Sequence, residues 1–218
     1  MSETPTAAAG SPPLAVDAEE AARAGFYALL SRLYAGPPDA ALLAAIAGAA
    51  PLVPDAPAGA EGDAHDLATA WAALCAASAA AAPDALAQEY DDVFVGVGKS
   101  EVNLHASHWL TGFMMERPLA ELRGALARLG LARRPEASMV EDHLSALCET
   151  MRILIAGQGP VAPADLALQK SFFEQQIATW APQCCAAIES CSLAVYYRRV
   201  AQFTTCFLAL ERDSFAMD

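Results

Sequence analysis

Several groups of residues have types and spacings that could do chemistry. Gly98-Lys99-Ser100 matches the end of a phosphate-binding loop, where glycine amides wrap phosphates while lysine and a hydroxyl reach phosphate and Mg²⁺. The full pattern, G-x-x-x-x-G-K-[ST], needs a first glycine where this chain has Val93. The preceding segment has helical spacing, so no β-strand is expected to seat such a loop, and the stretch reads as a glycine-rich connector. His105 and His108 lie three apart, a spacing that suits a metal on one helical face. Neither E-x-x-H nor H-E-x-x-H occurs, so the helical di-iron and zinc-protease signatures are absent and two partly exposed histidines are the simpler reading. Cys184 and Cys185 are adjacent, and neighbouring helix positions point about 100° apart, a poor chelate. No nucleophile is paired with a base in a recognisable local pattern. No enzyme activity, metal or cofactor is expected.

Two acidic clusters remain. Glu89, Asp91 and Asp92 stand beside Tyr90 and Phe94, and Glu141, Asp142 and His143 stand where a helix should open. One reading makes Glu141 a cap, Asp142 a favourable charge near the helix start and His143 a surface residue. The other makes carboxylates beside aromatics the walls of a groove for an apolar peptide carrying arginines. The residues alone leave both open.

The elements that would position these groups are helices. A first helix is expected from Asp17 with Ala22, Phe26, Leu29 and Leu33 inward, ended by Gly36-Pro37-Pro38. A short Ala/Leu helix to about Ile46 follows. Leu67, Trp71 and Leu74 mark another, and Pro83 opens the next, whose face is Leu86, Tyr90, Val93 and Phe94. Further helices are expected over His105–Met115, from Pro118 to Gly130, and from a Ser138/Glu141 capping box through Val140, Leu144, Leu147, Met151 and Ile155. The last two span Leu166–Trp180 and, after a break at Pro182, a long stripe of Leu193, Tyr196, Val200, Phe203, Phe207 and Leu210. No convincing strand alternation and no internal repeat is seen. The expectation is an all-α bundle of roughly nine to ten helices over residues 16–218, after a disordered tail over 1–15, with loops near 48–63, 96–104, 131–138 and 156–164.

Composition narrows the function. The 218 residues hold 13 basic and 26 acidic side chains, a formal charge of −13, which argues against a general nucleic-acid binder. Mean hydropathy is +0.28, but alanine supplies much of it, and no apolar run approaches the roughly 20 residues of a membrane span. The first residues, MSETPTAAAGSPP, lack a basic n-region and an apolar h-region, so the chain reads as cytoplasmic. Six cysteines without C-x-x-C spacing then read as small buried hydrophobes.

The order Glu89-Tyr90-Asp91-Asp92-Val93-Phe94-Val95-Gly96, then Ser107 and Trp109, then Glu141-Asp142-His143-Leu144 and Met151, resembles the TorD/DmsD/NarJ-type redox-enzyme maturation chaperones. Gln169 to Trp180 with Phe173, Trp180-Ala181-Pro182 and Tyr196-Tyr197 fit as well, so the likeness covers roughly residues 20–215. The resemblance implies an all-helical, cytoplasmic, non-catalytic chaperone of molybdenum enzymes. Such proteins bind the apo-enzyme's catalytic subunit, often through its twin-arginine signal peptide, and hold back export until cofactor is inserted. By resemblance the client peptide would lie among Tyr90, Val93, Phe94, Leu104 and Trp109, with Asp142 and His143 on the other wall and Ser107 shaping the loop. Where the family often has Glu-Pro before x-Asp-His, this chain has Met139-Val140. The stretch 96–131 is most similar to a subgroup associated with formate dehydrogenases. Helical halves joined by loops make a monomer or a domain-swapped dimer the expected states. A nucleotide-binding switch built on Lys99 and Ser100, and a helical scaffold without client, are the competing readings.

The missing glycine at Val93 yields a first test. Calorimetry with Mg·GTP and Mg·ATP should show no tight binding, and Lys99→Ala should leave client maturation nearly unchanged; a tight, Mg²⁺-dependent isotherm abolished by that substitution would restore the nucleotide switch.

Overall fold

A computed structural model describes residues 18–53, 63–134 and 138–217. The tail expected over 1–15, the Asp17 cap and parts of the loops near 48–63 and 131–138 lie outside the described residues. The elements run α1 (Ala18–Ala35), α2 (Ala40–Ala47), α3 (Asp63–Ala80), α4 (Pro83–Tyr90), a π-helical turn (Asp91–Val95), α5 (Ala106–Thr111), α6 (Arg117–Arg128), α7 (Leu144–Ala156), α8 (Leu166–Gln176), α9 (Ala181–Ser190) and α10 (Tyr196–Met217). Among the described residues there is no β-strand, only two isolated bridges, so the fold is all-α.

Side-chain periodicity explains the packing. In α10, Tyr196, Val200, Phe203, Phe207 and Phe215 return to one face and are all buried. That face lies against α3 and α9, while α1 packs along α7 and α2 on α3. The buried apolar side chains join in one contiguous core. At its centre Phe203 meets Phe26 and Trp71, each at 5.3 Å between ring centroids. Cys148, Cys184 and Cys185 are buried in it, and all six cysteines are free.

Several boundaries differ from the sequence expectation, each for a local reason. The buried face of α1 is Ala24, Tyr27, Leu30, Leu33 and Tyr34, whereas Ala22 is exposed and Phe26 and Leu29 are half-buried. The face turns because both tyrosine hydroxyls find buried partners: Tyr27 donates to Glu211 at 3.0 Å, and Tyr34 pairs with Thr204 at 2.9 Å. Helix α7 starts at Leu144, so the Ser138/Glu141 capping box does not form; His143 is the cap, its Nδ1 accepting from the Ser145 amide. Glu141 instead pairs with Arg123 and Arg133. Helix α5 stops at Thr111, since Gly112 at φ 82° terminates it in the left-handed region. Pro182 opens α9 rather than breaking a helix, and Leu193 lies exposed before α10 begins.

Glu211 is a charged residue within the α10 stripe. It survives burial because Arg23 of α1 holds it with two hydrogen bonds of 2.7 and 3.0 Å, with Tyr27 as a third donor. The Arg23 guanidinium also lies 5.2 Å over the Phe215 ring and donates to Gln169 of α8, tying three helices together.

Phe203→Ala removes a fully buried ring from this junction. The expected loss is about 3–5 kcal/mol from transfer and cavity costs, a fall in Tm on the order of 10 °C for a chain of this size. A shift of a degree or so in a melting curve would mean that α10 is peripheral.

Candidate functional site

The motif Glu89 to Gly96 forms the end of α4 and the π-turn. Its first carboxylate faces inward: Glu89 accepts the amides of Val195, Tyr196 and Tyr197 at 2.8, 3.1 and 2.8 Å, capping α10 from a distant helix. Tyr90 donates its hydroxyl to the Tyr34 carbonyl at 3.0 Å, and Phe94 packs edge-on to Tyr197 at 4.9 Å. Asp91 and Asp92 remain at the surface. The widened turn closes with the Gly96 amide on the Asp91 carbonyl at 2.7 Å. A Cβ on Gly96, which sits at φ +63°, would come within 2.1 Å of the Lys99 carbonyl oxygen, so only glycine fits there. The glycines of this loop thus serve a tight backbone turn, consistent with a connector rather than a phosphate cradle.

A second unit joins the two motif-bearing segments. The Ala106 amide donates to the Asp142 carbonyl at 2.9 Å, and the Leu144 amide donates to the Leu104 carbonyl at 2.8 Å. Between these bonds the His105 and His143 rings meet edge-on at 4.8 Å. The Asp142 carboxylate, 2% exposed, accepts both the Ser107 amide at 3.0 Å and the Ser107 hydroxyl at 2.6 Å, and so caps α5 across 35 residues of sequence. Trp109 on α5 donates its indole N–H to the Asn103 carbonyl at 2.7 Å. Burial, followed by the neighbouring His105, holds the His143 imidazole down to about 3; burial also lowers His105, partly opposed by Asp142.

The structure brings the expected residues onto one connected stretch. Val93 is linked through its carbonyl to the Val102 amide at 3.0 Å, two residues before Leu104, which is linked to Leu144. Their roles divide by depth. Val93, Leu104, Asp142 and His143 are buried rather than open along a groove: the Asp142 carboxylate is taken by Ser107, the His143 ring by the Ser145 amide, and Val93 and Leu104 belong to the core. Tyr90, Phe94 and Trp109 are half-buried against it. A run of exposed apolar side chains lies in a segment expected to be helical, at Leu110, Phe113, Met114 and Met115, with Phe113 and Met115 each 69% exposed. Val95 and Val97 are exposed as well. The sequence signal for this surface was the Phe-Met-Met run enclosed between Gly112 and Pro118, where no helix can place all three inward.

A protein-family model described as "Nitrate reductase delta subunit" matches residues 60–186, more than half of the chain. The chain belongs to this family. No curated protein matches it. Membership of the nitrate reductase delta subunit family makes the protein a redox-enzyme maturation chaperone of the NarJ/TorD type, a generally non-catalytic class. The matched span contains the π-turn, the clasp between Leu104 and Leu144, and the exposed Leu110–Met115 segment. No single helix among the described residues is long and apolar enough to cross a membrane.

The buried histidine yields a pH prediction. An unfolded histidine titrates near 6.5, while folded His143 does so near 3. Between those values the unfolded chain binds a proton that the folded chain does not. The stability from His143 is therefore complete above about pH 6.5 and is lost as pH falls toward 3. Melting at pH 7.5 and 5.5 should show a smaller drop for His143→Asn, which keeps an acceptor for the Ser145 amide, than for the wild type; equal drops would remove His143 as the cause.

Proposed function

We propose that this protein is a cytoplasmic, non-catalytic chaperone that captures an apo-molybdoenzyme catalytic subunit by its N-terminal segment and holds it until cofactor insertion. A twin-arginine signal peptide is the segment the surface suits best. The observation that carries the reading is the set of exposed apolar and acidic side chains within residues 91–116. It offers exposed Val95, Leu110, Phe113, Met114 and Met115 beside exposed Asp91, Asp92, Glu101 and Glu116. Thioethers and a phenyl ring accept apolar segments of varied shape, and the carboxylates attract guanidiniums. Tyr90, Phe94 and Trp109 form the half-buried rim, while Val93, Leu104, Asp142 and His143 position it from beneath. The resemblance of residues 96–131 supports a formate dehydrogenase-type client, and the working unit is a monomer or a domain-swapped dimer.

The test begins by recovering the protein from its own cytoplasm and identifying the co-purified subunit by mass. That subunit's N-terminal peptide is then titrated calorimetrically. Phe113→Ala and Phe94→Ala should each weaken binding about tenfold, the scale of one partly buried ring, with little change in salt dependence. Asp91→Asn combined with Asp92→Asn should weaken binding and flatten its salt dependence. Asp142→Asn should lower Tm by several degrees, because the Ser107 donors lose a charged acceptor, and should affect binding only as far as α5 loosens. Unchanged affinity in the Phe113, Phe94 and paired aspartate variants would remove this face.

A further inference from the structure

Helix α6 has its charges sorted along its length. Glu116, Arg117 and Glu121 stand at its start, whereas Arg128, Arg133 and Arg134 stand at its end or just beyond, all of them exposed. Arg117 is held by Glu121 at 2.6 Å, and Arg133 lies 3.7 Å from Glu141. Arg128 and Arg134 join no ion pair among the described residues, although the chain carries a net charge of −13. The outward stripe of the helix is Arg117, Ala120, Glu121, Gly124, Ala127 and Arg128, opposite the buried Leu119, Leu122 and Leu126. A Cβ on Gly124 would meet only the Arg128 side chain, at 3.6 Å, so no other element covers the middle of that stripe. The two ends of α6 also differ in shape. Before it, Phe113, Met114 and Met115 form an exposed apolar knob, with Gly112 and Met115 both in the left-handed region and the Phe113 amide donating to the Thr111 hydroxyl at 3.2 Å. After it, a cavity of about 700 Å³ opens between α1, α7 and residues 131–134. Leu126, Leu131, Met139, Ile153 and Val161 supply its apolar wall, and Arg133 and Arg134 line it too. Its carboxylates, Glu141 and Glu149, already pair with Arg123 and Arg152.

Knob and cavity are therefore separated by the 12 residues of α6, about 18 Å, with acids at one end and free arginines at the other. An arrangement of this kind complements itself when reversed. Antiparallel pairing about a two-fold axis between Gly124 and Ala125 sets Glu121 opposite Arg128 of a second copy and Glu116 opposite its Arg133, and brings the knob to its cavity. Each contact then occurs twice, as a closed two-fold interface requires. The short side chains at Ala120, Gly124 and Ala127 let the two axes approach closely, and the opposed helix dipoles attract. Two chains of net charge −13 repel over most of their surfaces, so copies can meet only where both signs alternate, as they do here. We infer that two copies associate through this face, α6 against α6, with each Phe113–Met115 knob seated in the cavity of the other and no exchange of helices. The pairing stands on α6 and its two ends. Its consequence, that a client must displace the second copy from the knob, rests on the reading of residues 91–116 proposed above.

Sedimentation equilibrium of the full chain without client should show a reversible monomer–dimer equilibrium at micromolar concentration. Glu121→Arg and Arg128→Glu, both at exposed positions, should each weaken dimerisation at least tenfold with little change in Tm, because each sets like charges against each other at both symmetric contacts. The two substitutions together should restore the dimer, since the exchanged charges face each other again. Phe113→Asp should weaken it as well, by placing a carboxylate in an apolar cavity. A monomer at every concentration would overturn the inference, as would a double variant that stays dissociated. A dimer indifferent to both charge reversals and slow to dissociate on dilution would overturn it in favour of exchanged helices. Glu121 and Arg128 lie outside residues 91–116, so a failure of the pairing leaves the calorimetric titration of the client peptide to be judged separately. If both readings hold, that peptide dissociates the dimer.

Discussion

The Asp142 carboxylate is the contact on which the motif-bearing half of the molecule depends. A buried charge is costly to desolvate and is tolerated only with good partners. Asp142 has them in the Ser107 amide and hydroxyl, the first donors of a helix of only six residues. So short a helix has little stability of its own, and its starting point is set from outside. Everything that follows Ser107 takes its position from that start: Trp109, the left-handed stop at Gly112 and the exposed turn to Met115. The flanking side chains are committed in other directions, Glu141 to Arg123 and Arg133, and His143 to the first turn of α7. Three consecutive residues thus fix three separate elements.

Glu89 repeats the device at the start of α10. Helices α2 and α8 are capped by the aspartate immediately before them, Asp39 and Asp165. Helices α5 and α10 are capped from distant sequence, by Asp142 and Glu89. A local cap stabilises one helix, whereas a remote cap also fixes where that helix sits relative to another. Part of the acidic composition is therefore structural, and the acids left over, such as Asp91, Asp92, Glu101 and Glu116, are those at the surface.

This division explains what could be read from sequence. The all-α class, the stripe of α10 and the openings at Pro83 and Pro118 follow from periodicity and proline chemistry, which are local properties. The order of motifs from Glu89 to Tyr197 was also legible, and it pointed to the family that the chain matches. Depth was not legible. A capping aspartate and a surface aspartate have the same neighbours in sequence, and only the approach of Ser107 across 35 residues makes Asp142 a buried one. The α1 face was misplaced for the same reason: tyrosine reads as a partly exposed residue until Glu211 and Thr204, 184 and 170 positions away, pair with the hydroxyls of Tyr27 and Tyr34. The helix expected over His105–Met115 was drawn too long because Gly112, in the left-handed region, ends it at Thr111.

Inward commitment of the polar groups has a consequence for binding. With Glu89, Asp142, Ser107 and His143 already satisfied, the face over residues 91–116 offers a partner few fixed hydrogen-bonding directions. What it presents is soft apolar surface from Leu110, Phe113 and two methionines, with carboxylates around it. Apolar contact is non-directional, and surface charges attract over distance while contributing little each once screened. Each side chain buried fully would contribute roughly 1.5–3 kcal/mol, and ordering a flexible peptide takes back about 2–5 kcal/mol or more. A handful of such contacts leaves moderate affinity with broad tolerance of sequence. A well-anchored scaffold beneath a forgiving surface suits the proposed role of holding an unfinished enzyme and then letting it go.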